Sequence, residues 1–321
     1  MKKTLHKLRS KKRNKVLTLV VPVFNEQDSI KIFLDCINHT FKKNFSFNLE
    51  ILFVNDGSTD LTLDNLKKAQ ISDSRIVIID LSRNFGKESA LTAGLEFSSG
   101  DAAIPIDIDL QDPPDLIPEM IKKWNAGFDV VIAKRIDRTL DSWAKRNSSL
   151  WFYRIYNKIA QIKIPENVGD FRLMDRSVVD AVKLMPESNR FMKGIFSWVG
   201  FKTTYVEYSR PNRVAGSSKF SGWKLWNFAI EGITSFSIEP LRVWTYFGFF
   251  ISFISFLFAI HIVIKTLLFG IETPGYASLA VLIIFLGGIQ LIGIGVIGEY
   301  IGRTYIESKQ RPNFIVRQIY K

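Results

Sequence analysis

Apolar residues gather in short, β-branched runs at Val16–Val23, Leu49–Val54, Arg75–Leu81 and Ala102–Ile106. Each run is the length of one buried strand, and the segments between them carry helical apolar spacing. Buried strands alternating with amphipathic helices make βα units and a mostly parallel sheet, and the alternation continues to about Val206. Every predicted strand ends in polar or glycine-rich residues: Phe24-Asn-Glu, Asn55-Asp-Gly-Ser-Thr-Asp, Ser82-Arg-Asn-Phe-Gly and Asp107-Ile-Asp-Leu-Gln-Asp-Pro-Pro114. Ligands of open α/β sheets bind beyond the carboxyl ends of the strands, so these turns are expected to face one crevice.

The pattern changes after Val206. Gly222–Pro240 mixes large aromatics with few charges and reads as an amphipathic segment at a membrane interface, with a core helix as the competing reading. Two apolar stretches follow, Val243–Ile264 and Tyr276–Gly298, each long enough to cross a hydrocarbon core of about 30 Å. Their connection lacks Lys and Arg while both outer flanks are basic, which is expected to place both chain ends and the α/β part on the cytoplasmic side of the membrane, as a multi-pass protein. Glycines in the second stretch, Gly298 and Gly302 among them, permit close helix approach without fixing an oligomer number. The expected division is a basic leader (1–15), a catalytic domain (16–220), an interfacial segment (221–241), a transmembrane hairpin (242–302) and a basic cytoplasmic tail (303–321).

Composition sharpens this division. The 321 residues are 47% apolar with a net charge of +12. Eight basic residues fall within the first fifteen positions, where anionic lipid is the expected partner. No zinc-finger spacing, RNA-recognition signature or base-reading basic helix accompanies the charge, so nucleic acid is not expected. The run after the leader is too short, and lacks the small-residue cleavage site, for a signal peptide. The one cysteine, Cys36, has no internal disulfide partner and reads as a small buried residue on a helix face.

The chemistry is carried by three ordered turns. Val21-Pro-Val-Phe-Asn-Glu26 and Asn55-Asp-Gly-Ser-Thr-Asp60 put carboxylates at strand ends, where they can bind the ribose and base edges of a nucleoside. Asp107-Ile-Asp-Leu-Gln111 offers hard oxygen ligands at alternate positions, suited to Mg²⁺ or Mn²⁺ bridging two phosphates. Asp56, Ser58 and Asp112 are also good helix caps, and capping is the preferred role for Asp112.

These motifs in this order resemble the glycosyltransferase family 2 catalytic domain, and Asp107-Ile-Asp-Leu-Gln111 resembles its polyprenyl-phosphate branch. Asn84-Phe-Gly-Lys-Glu, Asn167-Val-Gly-Asp-Phe-Arg-Leu-Met174, Phe191-Met-Lys-Gly-Ile-Phe-Ser-Trp-Val-Gly200, Trp223-Lys-Leu-Trp-Asn227, Glu231-Gly-Ile-Thr-Ser-Phe236 and Gly298-Glu-Tyr-Ile-Gly-Arg-Thr-Tyr305 are similar to the bactoprenol glucosyltransferases of O-antigen modification clusters, and the likeness runs from the end of the leader through both apolar stretches. The resemblance implies a GT-A nucleotide-sugar-binding fold of α/β class, and an inverting hexosyltransferase moving a sugar from a UDP-sugar to undecaprenyl phosphate. It further implies that Pro22, Glu26 and Asp56 hold the nucleoside, that Asp107 lies near the donor, and that Asp109 and Gln111 reach a Mg²⁺ or Mn²⁺ ion. By the same likeness Asp170 stands beside the reacting centre and Arg172 near the phosphates. Arg135 and Arg146 would bind the acceptor phosphate, and Arg213 to Phe220, with Arg213 and Lys219, would form a loop closing over the site. Ile108 stands where related enzymes often have Ala, and would alter the donor pocket.

Glucose is the favoured sugar, with N-acetylglucosamine and galactose open. The expected partners are the UDP-sugar, undecaprenyl phosphate, the lipid bilayer, further copies of the chain, a flippase and a downstream transferase. A processive polysaccharide synthase would need a Gln-x-x-Arg-Trp motif and more membrane helices, and the intact acidic motifs argue against a non-catalytic scaffold.

Overall fold

The computed structural model describes residues 15–41, 47–136, 165, 168–187, 190–209, 239–269 and 275–321. The leader before Lys15 and most of the expected interfacial segment lie outside them.

The four expected strands are present as β1 (Lys15–Val23), β2 (Phe47–Asn55), β3 (Ile76–Leu81) and β4 (Ala102–Pro105). Between them run α1 (Ser29–Phe41), α2 (Thr62–Ser72) and α3 (Lys87–Phe97). A 3₁₀ turn at Pro114–Leu116, α4 (Ile117–Asn125), β5 (Val130–Arg135), β6 (Val168–Asp175), α5 (Arg176–Lys183), α6 (Met192–Trp198) and β7 (Thr203–Tyr208) follow. Two long helices, α7 (Glu239–Phe269) and α8 (Tyr276–Ser308), precede a last strand, β8 (Val316–Tyr320).

All eight strands form one sheet in the order β7-β5-β6-β4-β1-β2-β3-β8. The β4-β1-β2-β3 half is parallel, as buried β-branched runs joined by helices require. β6 runs antiparallel to both β4 and β5, and β8 antiparallel to β3. The expected parallel sheet thus has two reversals, one internal and one at an edge.

The main core lies on one face of the sheet, where Leu17, Leu19, Val21, Ile51 and Phe53 meet Ile30, Phe33 and Ile37 of α1. Cys36 sits off that face, half-buried, so it does not fill the buried role expected of it. Ile108 packs into this same core at 5% exposure.

The basic tail is not a tail. The helix continues to Ser308, and β8 then returns to the catalytic sheet, with Ile78 opposite Tyr320 and Asp80 opposite Gln318. Among the described residues one stretch, Phe285–Ser308, is long and apolar enough to cross a membrane, and a shorter apolar stretch lies at Tyr246–Phe258. The helices of the pair touch where Gly293 admits the Trp244 ring, which a Cβ would overlap, while among the described residues nothing lies within 4 Å of a Cβ at Gly298 or Gly302.

Candidate active site

β1 is the point where the chain's direction of travel across the sheet reverses: β2 and β3 are added on one side of it, β4 on the other. The β1–β4 ladder ends at Val20 opposite Pro105, whereas β1 stays paired with β2 through Val23 opposite Asn55. The two carboxyl ends flanking this opening frame a crevice, the expected ligand position of such a sheet. Pro22, which has no N–H to give, sits in β1 just past the point where pairing with β4 stops.

The turns after β1, β2 and β3 are tied to one another by side chains. Asn25, at φ 53°, accepts from the Thr59 amide at 2.8 Å and donates its own amide to Ser58 Oγ at 3.0 Å. The Glu26 amide donates to Thr62 Oγ1 at 2.9 Å, and the Glu26 carboxylate accepts from Ser29 Oγ at 2.8 Å, at the start of α1. Asp56, 3% exposed, accepts from the amides of Phe85 at 2.7 Å and Gly86 at 2.9 Å. Burial raises the Asp56 carboxyl above its ordinary value, opposed by those two amides and by Arg83. Gly57 crosses beside the backbone of Arg83 and Asn84 at φ +65°, a place and a conformation that suit glycine.

The acidic turn after β4 faces the start of β6. Because β6 is antiparallel, its first residues lie at the carboxyl end of β4, and Asp170 is thereby brought across from Asp107. Lys87, first residue of α3, bridges them: Nζ is 2.7 Å from the Asp107 carboxylate and 3.4 Å from Asp170 Oδ2. Burial alone would raise the Asp170 carboxyl, but Lys87, Lys193 and Arg172 outweigh it and hold it below the usual carboxylate range. Against the cost of partial burial, the two carboxylates raise the Lys87 ammonium above its ordinary value. Arg172 is 3% exposed, donates to the Gly169 carbonyl at 2.7 Å and lies 4.3 Å over the Phe196 ring. Burial pulls it down to about 10, with Asp170 opposing, so it stays a cation at neutral pH.

Glu88, beside Lys87 on α3, also belongs to this cluster. Burial and then the Asp170 charge push it up to about 8, against the pull of Lys87, Lys193 and a hydrogen bond from the Met192 amide. Among the described residues, buried Glu88 Oε2 and Asp170 Oδ1 meet no hydrogen-bond partner. Lys87, Glu88 and Lys193 were missed as site residues, although Lys87 and Glu88 stand at the start of a helix following a glycine turn, a signal for an electrostatically active position.

Within the acidic turn, Asp109 Oδ1 accepts from the Gln111 amide at 3.1 Å, and Leu110 takes φ 56°. Asp112 does not cap the following turn, whose N-cap is Pro113; it accepts instead from the Tyr208 hydroxyl at 3.0 Å. Arg135 ends β5 opposite Tyr208 of β7. Arg146, Arg213 and Lys219 lie outside the described residues.

Among the described residues no three His, Cys, Asp or Glu side chains converge as a ready-made metal cage. A hard cation of the Mg²⁺ type needs no such cage, being held by one or two carboxylates while substrate phosphates and water supply the rest. Asp109 and Gln111 bring a carboxylate and an amide oxygen from one turn, and the donor set fits such an ion.

Residues 18–183 match the model of Glycosyl transferase family 2. The chain is 58% identical over 301 residues to the bactoprenol glucosyl transferase of Shigella phage SfV, covering 94% of this chain and 98% of that one. It is 55% identical over 305 residues to the prophage bactoprenol glucosyl transferase homolog of Escherichia coli (strain K12), covering 95% and 99%. Glucosyl-3-phosphoglycerate synthase from Mycobacterium tuberculosis, solved with Mn²⁺, uridine-diphosphate-glucose and phosphoglyceric acid, matches at 18% identity and a TM-score of 0.45 over 68% of this chain and 78% of that one.

Proposed function

The chain belongs to glycosyl transferase family 2, and from that premise we propose that it transfers glucose from UDP-glucose to undecaprenyl phosphate with inversion at the anomeric carbon. The reading rests on one observation above the others: identity above one half, over almost the whole of both chains, to proteins named as bactoprenol glucosyl transferases. The ion-paired Asp107–Lys87–Asp170 cluster at the mouth of the crevice supports it.

In this reading Pro22, Glu26 and Asp56 belong to the nucleoside end of the site and Asp107 lies near the donor sugar. Asp56 also accepts the Phe85 and Gly86 amides, one on each oxygen, and so sets the position of the loop while keeping lone pairs for the nucleoside. The acceptor oxygen attacks the anomeric carbon from the face opposite the diphosphate, a carbon–oxygen bond to the acceptor phosphate forms, and the bond to the β-phosphate oxygen of UDP breaks. A phosphate monoester has its second pKa near 6, so the nucleophile is already mostly dianionic at neutral pH. Asp170, held ionised below the usual carboxylate range by its cationic neighbours, is too weak a base to compete for the residual acceptor proton and is therefore assigned to positioning Lys87. Arg172 and Lys87 supply fixed positive charge where two phosphorylated substrates approach one another. Bound by Asp109 and Gln111, Mg²⁺ or Mn²⁺ would neutralise the departing diphosphate. Arg135, with Arg146, Arg213 and Lys219, is assigned to the acceptor phosphate.

We further propose that α7 and α8 cross the membrane as a pair. The return of β8 to the catalytic sheet supports an even number of crossings, since both ends of the hairpin then lie on the catalytic side. Basic flanks and a connection without Lys or Arg favour the cytoplasm as that side. The lipid-linked glucose would then pass to a flippase and a downstream transferase acting on a surface glycan such as O-antigen.

The test is transfer of radiolabelled glucose to undecaprenyl phosphate by the purified chain in detergent, with and without chelator, beside Asp109→Ala. A glycolipid that requires the metal and is lost in the variant is expected. Metal-independent transfer undiminished in Asp109→Ala would overturn the assigned metal site, and absence of any glycolipid would overturn the reaction.

A further inference from the structure

The last strand reaches the nucleotide end of the crevice through a chain of contacts that runs from the exposed Arg317 to the buried Asn55–Asp80 pair. β8 joins α8 through residues 309–315 and lies on β3. Its seat is specific: the Ser82 amide donates to the Ile315 carbonyl at 2.9 Å, Phe314 meets Phe97 edge to face at 6.4 Å, and Lys67 lies 4.7 Å over the Tyr320 ring. Arg317 donates to the Ser82 carbonyl at 2.7 Å, fixing the first residue of the turn whose Phe85 and Gly86 amides Asp56 holds. Its other guanidinium nitrogen stands 3.6 Å from Asp80 Oδ2, a side chain only 2% exposed. Asp80 Oδ1 in turn accepts from Asn55 Nδ2 at 2.7 Å, and Asn55 Oδ1 accepts from the Ser58 amide at 3.3 Å, inside the turn after β2. A buried carboxylate is costly unless charge and hydrogen bonds compensate it, and Arg317 of β8 stands as a cation beside the Asn55–Asp80 pair.

We propose that β8 is a positioning element for the donor nucleotide, and that Arg317, through Asp80 and Asn55 on one side and Ser82 on the other, sets the two turns that receive the nucleoside diphosphate. The proposal rests on the reading of those turns as the donor end of the site. It has a consequence for a membrane enzyme: the donor turns reach full order only when the segment after α8 is seated on the sheet, so donor binding and correct placement of the helix pair are coupled.

The experiment measures UDP binding to the full chain in detergent by calorimetry, separately from transfer to lipid. Arg317→Ala is expected to weaken UDP binding about tenfold, the scale of one hydrogen bond to a charged group, and to raise the KM for UDP-glucose while leaving the KM for undecaprenyl phosphate unchanged. Arg317→Lys should recover part of the loss. Asp80→Asn, which removes the buried charge that needs compensating, should restore most of the UDP affinity in the Arg317→Ala background, and it covers the case in which the single variant is too unstable to purify. UDP binding unchanged in Arg317→Ala, or a loss that Asp80→Asn does not relieve, would overturn the proposal. Failure of the wild-type chain to bind UDP at all would instead strike the donor-site reading on which it rests.

Discussion

Replacing Gly57 with alanine tests the close approach that builds the donor end of the crevice. A Cβ at this position would stand 2.5 Å from the Asn84 amide nitrogen and nearer still to the Arg83 carbonyl carbon, against the 3.4 Å at which ordinary contact begins. Both obstacles are backbone, so no side chain can swing aside, and the turns after β2 and β3 must part by about 1 Å. The φ of +65° adds a left-handed penalty of about 1–2 kcal/mol for any L side chain. A separation of that size also stretches the Asp56 bonds to the Phe85 and Gly86 amides from 2.7 and 2.9 Å toward the limit of hydrogen bonding, at roughly 1.5–3 kcal/mol for each bond lost to a charged acceptor. The local cost is several kcal/mol, of which the part realised on donor binding should weaken UDP by about a hundredfold, or about 2.7 kcal/mol. Calorimetric titration of Gly57→Ala with UDP reads this directly, alongside circular dichroism to confirm that the sheet is intact. Wild-type UDP affinity in a folded Gly57→Ala protein would refute the reasoning.

Three further outcomes follow from the same geometry. Lys87→Met leaves Asp107 and Asp170 facing one another without their bridge and should lower kcat on the order of a hundredfold, with partial recovery in Lys87→Arg; steady-state transfer assays decide it, and a normal kcat would count against the cluster's role. Glu88 is pushed up to about 8, mainly by burial and then by Asp170, so the folded chain keeps a proton that the unfolded chain releases at ordinary carboxylate pH, and its contribution to stability falls as pH rises from the unfolded value toward 8. Glu88→Gln removes this dependence, and its advantage in Tm over wild type should grow between about pH 5 and about pH 8.5; a difference that stays constant with pH would contradict the raised value. Gly94→Ala would drive a methyl from α3 into the Val20 side chain of β1, and should destabilise the domain by about 1–3 kcal/mol in denaturant titration, with no loss if α3 can simply lift away.

The half of the molecule written in local pattern was readable from the chain alone. β1 to β4 appear within two residues of their expected bounds because buried β-branched runs bounded by glycine and acidic turns have few other ways to fold. The crevice followed from those turns. What could not be read depends on pairing across long sequence separations. Nothing local marks Val168–Asp175 as the antiparallel strand that carries Asp170 opposite Asp107, nor Val316–Tyr320 as a partner for β3 across the whole length of the helix pair. The five residues Val-Arg-Gln-Ile-Tyr are too short a run to stand out among the basic residues around them, and their register with Ile78 and Asp80 is set by an open sheet edge in the folded domain. Asp112 was misread for a related reason: its residue type favours capping, but a tyrosine from β7 reaches its carboxylate first. Lys87 and Glu88 escaped because their importance lies in what faces them.

The most direct test of the central claim is mass spectrometry of the lipid product when the purified chain is offered an equimolar mixture of UDP-glucose, UDP-N-acetylglucosamine and UDP-galactose with undecaprenyl phosphate and Mg²⁺. The account predicts one new lipid carrying a single hexose on the phosphate, released by mild acid, identified as glucose by chromatography of the freed sugar against glucose and galactose standards, and inverted at the anomeric carbon. Consumption of UDP-glucose to free glucose and UDP with no glycolipid, or a lipid carrying a different sugar, would contradict it.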